Sequence, residues 1–193
     1  MEKLLVLLSI ITLFLSCVDN NPKVIIETDF GNITVELYEE KAPITSSNFI
    51  RYIEEERHKG ATFYRVVTPE NQPNSKVKIE VVQGGLYEDD HPHALPPITH
   101  ENTEQTGIKH LDGTISMARY GPGTATFEFF ICVGDQPSLD YGGDRNPDNH
   151  GFAAFGKVIE GTEGMKVIDE MGKVQTDSRD KPIDEIHIIS ATL

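Results

Sequence analysis

Short apolar runs separated by turn-rich breaks recur along this chain, and their spacing predicts a mainly β protein. In Asn32-Ile33-Thr34-Val35-Glu36-Leu37-Tyr38 every second residue is apolar, the mark of a half-buried strand. With the run before it, Lys23 to Thr28, it flanks Asp29-Phe30-Gly31-Asn32, a glycine-containing turn, so the pair predicts a hairpin. Eight strand segments emerge, at 23–28, 32–38, 62–67, 78–83, 113–118, 127–133, 152–159 and 184–192. Two stretches carry the longer helical period. From Pro43 to about Arg57, Phe49, Ile50 and Ile53 form one stripe; from Gly161 to Met171, Met165, Val167, Ile168 and Met171 share a broad face. Eight strands, mostly antiparallel, with two helices predict an eight-stranded antiparallel β-barrel capped by two α-helices, because closure removes the exposed edges.

Two irregular stretches interrupt this pattern. Residues 68–78 contain two prolines and two asparagines, and residues 86–107 contain three prolines and three histidines. Loops of that length in a compact domain are usually functional or mobile.

The first sixteen residues differ from the rest. Leu4 to Leu15 is a largely apolar run of twelve, shorter than the ~20 residues a membrane-spanning helix needs and suited to a secretory signal core. Cys17 follows Leu15-Ser16 and resembles the lipidated cysteine of a bacterial lipobox, although Phe14 and Leu15 stand where a leucine and a small residue are usual. The simpler alternative is a secretory peptide with a chance cysteine. The expected organisation is a lipoprotein signal peptide at 1–16, a tether at 17–22 and one domain at 23–193, displayed on the cell envelope outside the cytoplasm.

A length of 193 residues with 38% hydrophobic content suffices for one ordinary core. The formal net charge of −14 argues against nucleic acid and against adhesion to anionic lipid, so membrane contact is expected only through the lipid anchor. A monomer is expected. Apart from Cys17 the one cysteine is Cys132, at the end of Phe129-Phe130-Ile131. It fits a small buried hydrophobe better than a nucleophile, and no intrachain disulfide is expected.

Candidate chemistry begins with Arg65, which interrupts the strand-like Ala61-Thr62-Phe63-Tyr64-Arg65-Val66-Val67. Alone, such an arginine is most simply an edge-strand side chain snorkelling to water. Taken together, Phe63-Tyr64-Arg65-Val66-Val67, Gln83-Gly84-Gly85, Gly113-Thr114-Ile115-Ser116-Met117-Ala118, Phe129-Phe130-Ile131, Leu139-Asp140 and Phe155-Gly156-Lys157-Val158-Ile159-Glu160-Gly161 occur in an order that resembles the cyclophilin-type peptidyl-prolyl isomerases. The resemblance spans about 23 to 192 and implies a barrel of eight antiparallel strands with two capping helices, which agrees with the strand count.

It also implies an activity, rotation of X-Pro bonds in proline-containing peptides or unfolded exported proteins, with no cofactor and no metal. By resemblance Arg65, Gln83 and Phe130 are catalytic: Arg65 donates to the prolyl nitrogen, Gln83 holds the substrate carbonyl and orients Arg65, and Phe130 floors the proline pocket. Val81 and Leu139 are implied as walls, with Phe63, Glu128 and Phe152 also at the substrate site. Ala118 and Arg119 are implied along the track for residues preceding the proline. The chain departs from the family at Glu80-Val81-Val82-Gln83, which lacks one apolar wall residue, and at Glu128, where glutamine is common. Ser138 and Phe152 replace the tryptophan and histidine of drug-sensitive eukaryotic members, which puts tight cyclosporin binding in doubt.

The rival from another class is a non-catalytic proline-peptide-binding module using the same groove. Two weaker candidates are a metal site at Asp89-Asp90-His91-Pro92-His93 with His100, and a calcium loop at Asp144-Arg145-Asn146-Pro147-Asp148-Asn149. The first matches no closed zinc spacing. The second lacks the distal glutamate and contains Pro147. Glu54-Glu55-Glu56 is most simply a solvated helix end.

Overall fold

A computed structural model describes residues 21–87 and 91–193. Cys17, Asp89 and Asp90 lie outside the described residues. Eight strands close into a barrel: β1 (Lys23–Thr28), β2 (Gly31–Leu37), β3 (Thr62–Val67), β4 (Val81–Gly85), β5 (Thr114–Met117), β6 (Phe129–Cys132), β7 (Ala153–Val158) and β8 (Ile186–Thr192). The order around the barrel is β1-β2-β7-β5-β6-β4-β3-β8, and β8 returns to β1 to complete the ring. All pairings are antiparallel. The segment expected at 78–83 forms β4 three residues later, because Ile79 and Glu80 lead into the strand without joining it.

Alternation fills the barrel. Ile33, Val35 and Leu37 from β2, Phe129 and Ile131 from β6, and Ile115 and Met117 from β5 all point inward and are buried. Helix α1 (Pro43–Glu54) packs against β7 and β8 near the end where β2 finishes. Helix α3 (Gly164–Met171) packs against the beginning of β2. Both are shorter than the expected spans of Pro43 to about Arg57 and Gly161 to Met171. α1 stops at Glu54 because Glu56 turns into the left-handed region (φ 53°), and α3 begins three residues after Gly161.

The long stretch 86–107 is anchored at several points. The backbone amide of Leu95 donates to the hydroxyl of Tyr52 at 2.6 Å, and Ile98 donates to the carbonyl of Ala125 at 3.0 Å. Its end folds into a third, four-residue helix α2 (Thr103–Thr106), where Asn102 and Gln105 form a reciprocal capping box. Just before it, the carboxylate of Glu101 accepts from the amides of Ile44 and Thr45 (3.2 and 2.7 Å) and from the Thr45 hydroxyl (2.7 Å). A distant carboxylate thus caps α1, whose own preceding residue, Ala42, has no side-chain oxygen to offer.

A second apolar cluster sits on the outside of the barrel. Val67, Ile79, Val81, Phe130, Cys132 and Leu139 form it, with Ala118 and Phe152 packed against them. Strand parity explains the division: in β6, Phe129 and Ile131 face in while Phe130 and Cys132 face out. The barrel wall therefore carries apolar side chains on both faces along β4 and β6, and the outer set needs a cover other than water.

Candidate active site

β3 does not keep simple alternation. Phe63 pairs with Gly84 and Arg65 with Gln83, so Tyr64 is the extra residue of a β-bulge. Phe63 faces the barrel interior, edge-on to Phe129 with ring centroids 5.6 Å apart, and is fully buried. After the bulge, Arg65 and Val67 face outward while Val66 returns to the core. Phe63 was expected at the substrate site, and the bulge places it in the core instead. Gly84 opposite it is tightly constrained: a Cβ there would lie 2.9 Å from the Phe63 ring.

Tyr64 and Arg65 border a cleft of about 330 Å³ over the outer apolar cluster. Of the residues singled out from sequence, Arg65, Gln83, Phe130, Val81 and Leu139 line it together, as do Ala118, Arg119, Glu128 and Phe152. Phe130 is the floor. The Phe152 ring stands perpendicular to it at 5.3 Å, and the imidazole of His110 lies behind it, nearly parallel, at 5.9 Å. Ile79, only 7% exposed, supplies apolar wall that Glu80 cannot. Cys132 packs under this floor and has no access to the cleft, and burial pushes its thiol far above the ordinary range.

The guanidinium of Arg65 is held from two sides. Nη1 donates to Gln83 Oε1 at 3.3 Å and Nη2 to Asp180 Oδ2 at 3.3 Å. Gln83 in turn donates from Nε2 to the Tyr64 hydroxyl, so the bulge residue steadies the amide that steadies the arginine. Asp180 went unnoticed in the sequence because it is 115 residues away and belongs to no apolar pattern. β8 pairs with β3 only at Thr62 and Phe63, and the carbonyl of Asp180 accepts the Val66 amide at 2.8 Å beyond that point. Asp180 itself sits at φ 64°, in a turn closed by Asp177, whose Oδ1 accepts from the amides of Arg179 and Lys181.

Glu128 borders the far end of the cleft. Its Oε1 accepts from the amides of Leu86 and Tyr87 at 2.7 and 3.0 Å. Burial, with the negative charge of Glu128 adding to it, pushes the Tyr64 hydroxyl well above the usual phenol range. Tyr64 is a neutral donor at any working pH.

Arg119 contributes less of its head than expected. It donates from Nη1 and Nη2 to the two oxygens of Asp148 (2.7 and 2.9 Å) and from Nε to the carbonyl of Gly151 (2.8 Å), with its plane 5.1 Å from the Phe152 ring. This engages the Asp148 carboxylate, which the calcium-loop reading would have needed as a ligand. Hydrogen bonds from Arg119 and from the His150 amide lower Asp148 to about 2.

Behind the floor, His110 Nδ1 donates to Asp140 Oδ1 at 2.8 Å and Nε2 accepts from the Ser116 hydroxyl at 2.9 Å. An ionised carboxylate only accepts, which fixes the tautomer. Burial lowers the His110 pKa against the pull of Asp140, so the ring stays neutral. Burial raises Asp140, but its hydrogen bonds from His110 outweigh that and hold it below the usual carboxylate range. The seryl oxygen is fully buried and has no route to a substrate. This row of side chains supports the floor rather than acting as a nucleophilic triad.

Residues 23–193 match the family model "Cyclophilin type peptidyl-prolyl cis-trans isomerase/CLD". A peptidyl-prolyl cis-trans isomerase of Acinetobacter baylyi is 33% identical over 178 residues, covering 90% of this chain and 86% of that protein. Peptidyl-prolyl cis-trans isomerase A of Dickeya dadantii is 36% identical over 158 residues, covering 80% and 73%. Among solved structures, a cyclophilin-type isomerase of Cryptosporidium parvum superposes with a TM-score of 0.66 at 22% identity, over 89% of this chain and 96% of that one. A second structure of that protein, determined in the presence of the dipeptide Ala-Pro, superposes equally well.

The Arg119–Asp148 pair generates a pH test. The folded pKa of Asp148 lies below its ordinary 3.8, so its stabilisation is complete above that value and is lost as pH falls toward 2. In urea titrations between pH 5 and pH 2, wild type should lose stability more steeply than Asp148→Asn; equal slopes would show that the pair adds nothing.

Proposed function

The chain belongs to the cyclophilin-type peptidyl-prolyl cis-trans isomerases, and from that premise we propose that X-Pro bonds rotate in the cleft between Arg65 and Phe130. An amide resists rotation by ~18–20 kcal/mol because resonance gives the C–N bond double-bond character. Twisting it makes the nitrogen pyramidal and returns its lone pair, so a donor aimed at that nitrogen favours the twisted form over both planar isomers. Arg65 is such a donor. Its head is always charged, and with Nη1 and Nη2 engaged by Gln83 and Asp180 its orientation is set before substrate arrives. The proline ring sits on Phe130, walled by Val81 and Leu139. Residues preceding the proline run past Ala118 toward Thr126, which also lines the cleft, and Gln83 serves the substrate carbonyl. The observation that carries this reading is that Arg65, Gln83 and Phe130 line one cleft.

The substrates proposed are proline-containing segments of unfolded exported proteins, reached from a lipid anchor at Cys17. The apolar run before Cys17 supports this placement. Mass spectrometry of the mature protein should find a diacylated cysteine at its N-terminus; retention of residues 1–16 would contradict the anchor.

Arg65→Ala should lower the isomerisation rate about ten- to a thousandfold, ~1–4 kcal/mol of transition-state stabilisation, with the fold retained. A protease-coupled assay on an Ala-Pro peptide measures this, and equal rates for the two proteins would remove Arg65 from the mechanism.

A further inference from the structure

We propose that Arg145 makes this isomerase selective for prolines followed by an acidic residue. The chain has six arginines. Five are in ion pairs: Arg51 and Arg57 with Glu55, Arg65 with Asp180, Arg119 with Asp148, and Arg179 with Asp177. Arg145 is different. Its Nη1 donates to three neutral oxygens, Gln72 Oε1 (2.9 Å), Ser75 Oγ (2.8 Å) and the carbonyl of Val77 (2.6 Å), and among the described residues no carboxylate pairs with it. In a chain of net charge −14, one arginine with no carboxylate in ion-pair contact, half-buried at the edge of a cleft, calls for an explanation.

Position supplies one. The three bonds tie the loop 143–149 to the loop 69–79, and both meet the cleft beside Ile79 and Leu139. Burial lowers the Arg145 pKa and the charge of Arg65 lowers it further, while the carboxylate of Asp180 raises it, so both cations stand in the field of that one carboxylate. Two guanidiniums thus share the charge of Asp180, which only Arg65 contacts, and that leaves positive charge in excess beside Arg145. The inference rests on the proposed orientation of the substrate. With preceding residues running toward Ala118 and Thr126, those after the proline leave past Ile79 and Arg145.

A carboxylate there gains a charge-assisted bond to a fork-shaped donor held in place by its own loop contacts. The negative surface of the rest of the protein opposes acidic peptides only weakly, because charges beyond ~10 Å are largely screened at ordinary ionic strength.

The test uses two-dimensional NMR exchange spectroscopy on Ala-Ala-Pro-Glu-Ala, Ala-Ala-Pro-Gln-Ala and Ala-Glu-Pro-Ala-Ala. Wild type should accelerate the Pro-Glu peptide about three- to tenfold more than the Pro-Gln peptide at low salt, with the advantage shrinking as salt rises and absent when glutamate precedes proline. Arg145→Gln should bring the Pro-Glu to Pro-Gln ratio to about one. Arg145→Lys should keep part of it, which guards against a loop that comes apart on losing the arginine. A ratio of one in wild type, or a ratio preserved in folded Arg145→Gln, overturns the proposal. Should that occur while Arg65→Ala still lowers the rate as expected, the site reading stands and only the specificity fails; spontaneous rates on every peptide would sink both.

Discussion

One extra residue in β3 decides which face of the sheet Arg65 takes. Regular alternation would put Phe63, Arg65 and Val67 on the same side of the sheet. The bulge at Tyr64 instead leaves Phe63 in the barrel and turns Arg65 outward, opposite Gln83. Without that shift, a strand that buries Phe63 would bury the guanidinium with it, at a cost no apolar core could offset. The bulge separates the residue that stabilises the barrel from the residue proposed to act on substrate. Its own side chain, Tyr64, then borders the site and takes the hydrogen bond from Gln83.

Everything around the cleft serves rigidity. The floor ring of Phe130 is braced by Phe152 on one side and His110 on the other. His110 is in turn fixed by Asp140 and Ser116, each polar atom with its partner, which is what a buried polar row requires to be stable. Arg65 is held by one neutral and one charged acceptor, Gln83 and Asp180. Reactions that only twist a bond need donors already in place, since reorganising them during the reaction would consume the advantage they confer. Loops far apart in sequence supply this bracing: the turn at Asp180 pins β3, and Arg145 joins its own loop at 143–149 to the loop 69–79 at the mouth.

How much of this the sequence disclosed follows from what kind of pattern each part obeys. The barrel was legible because eight short runs, alternating or continuously apolar, are separated by turn-rich breaks, and the two capping helices because Phe49, Ile53, Val167 and Ile168 repeat a period near 3.6. The cleft residues on β4 and β6 were legible through resemblance to a known family. Phe63 was misplaced because the resemblance put it at the substrate site, and a bulge leaves no mark in the hydrophobic pattern that would have moved it to the core. Asp180, Ile79 and Arg145 were missed for a different reason. They come from irregular segments, and only tertiary contacts carry them to the site. The capping box of Asn102 and Gln105 had a readable signature but sat within a stretch whose prolines suggested a loop throughout.

The most direct measurement is a crystal structure of this protein with an Ala-Pro dipeptide. The account predicts the proline ring stacked on Phe130 between Val81 and Leu139, with Arg65 Nη atoms within hydrogen-bonding distance of the Ala-Pro amide and the Asp180 contact preserved. A dipeptide bound away from Phe130, or seated there with Arg65 turned to solvent, would contradict it.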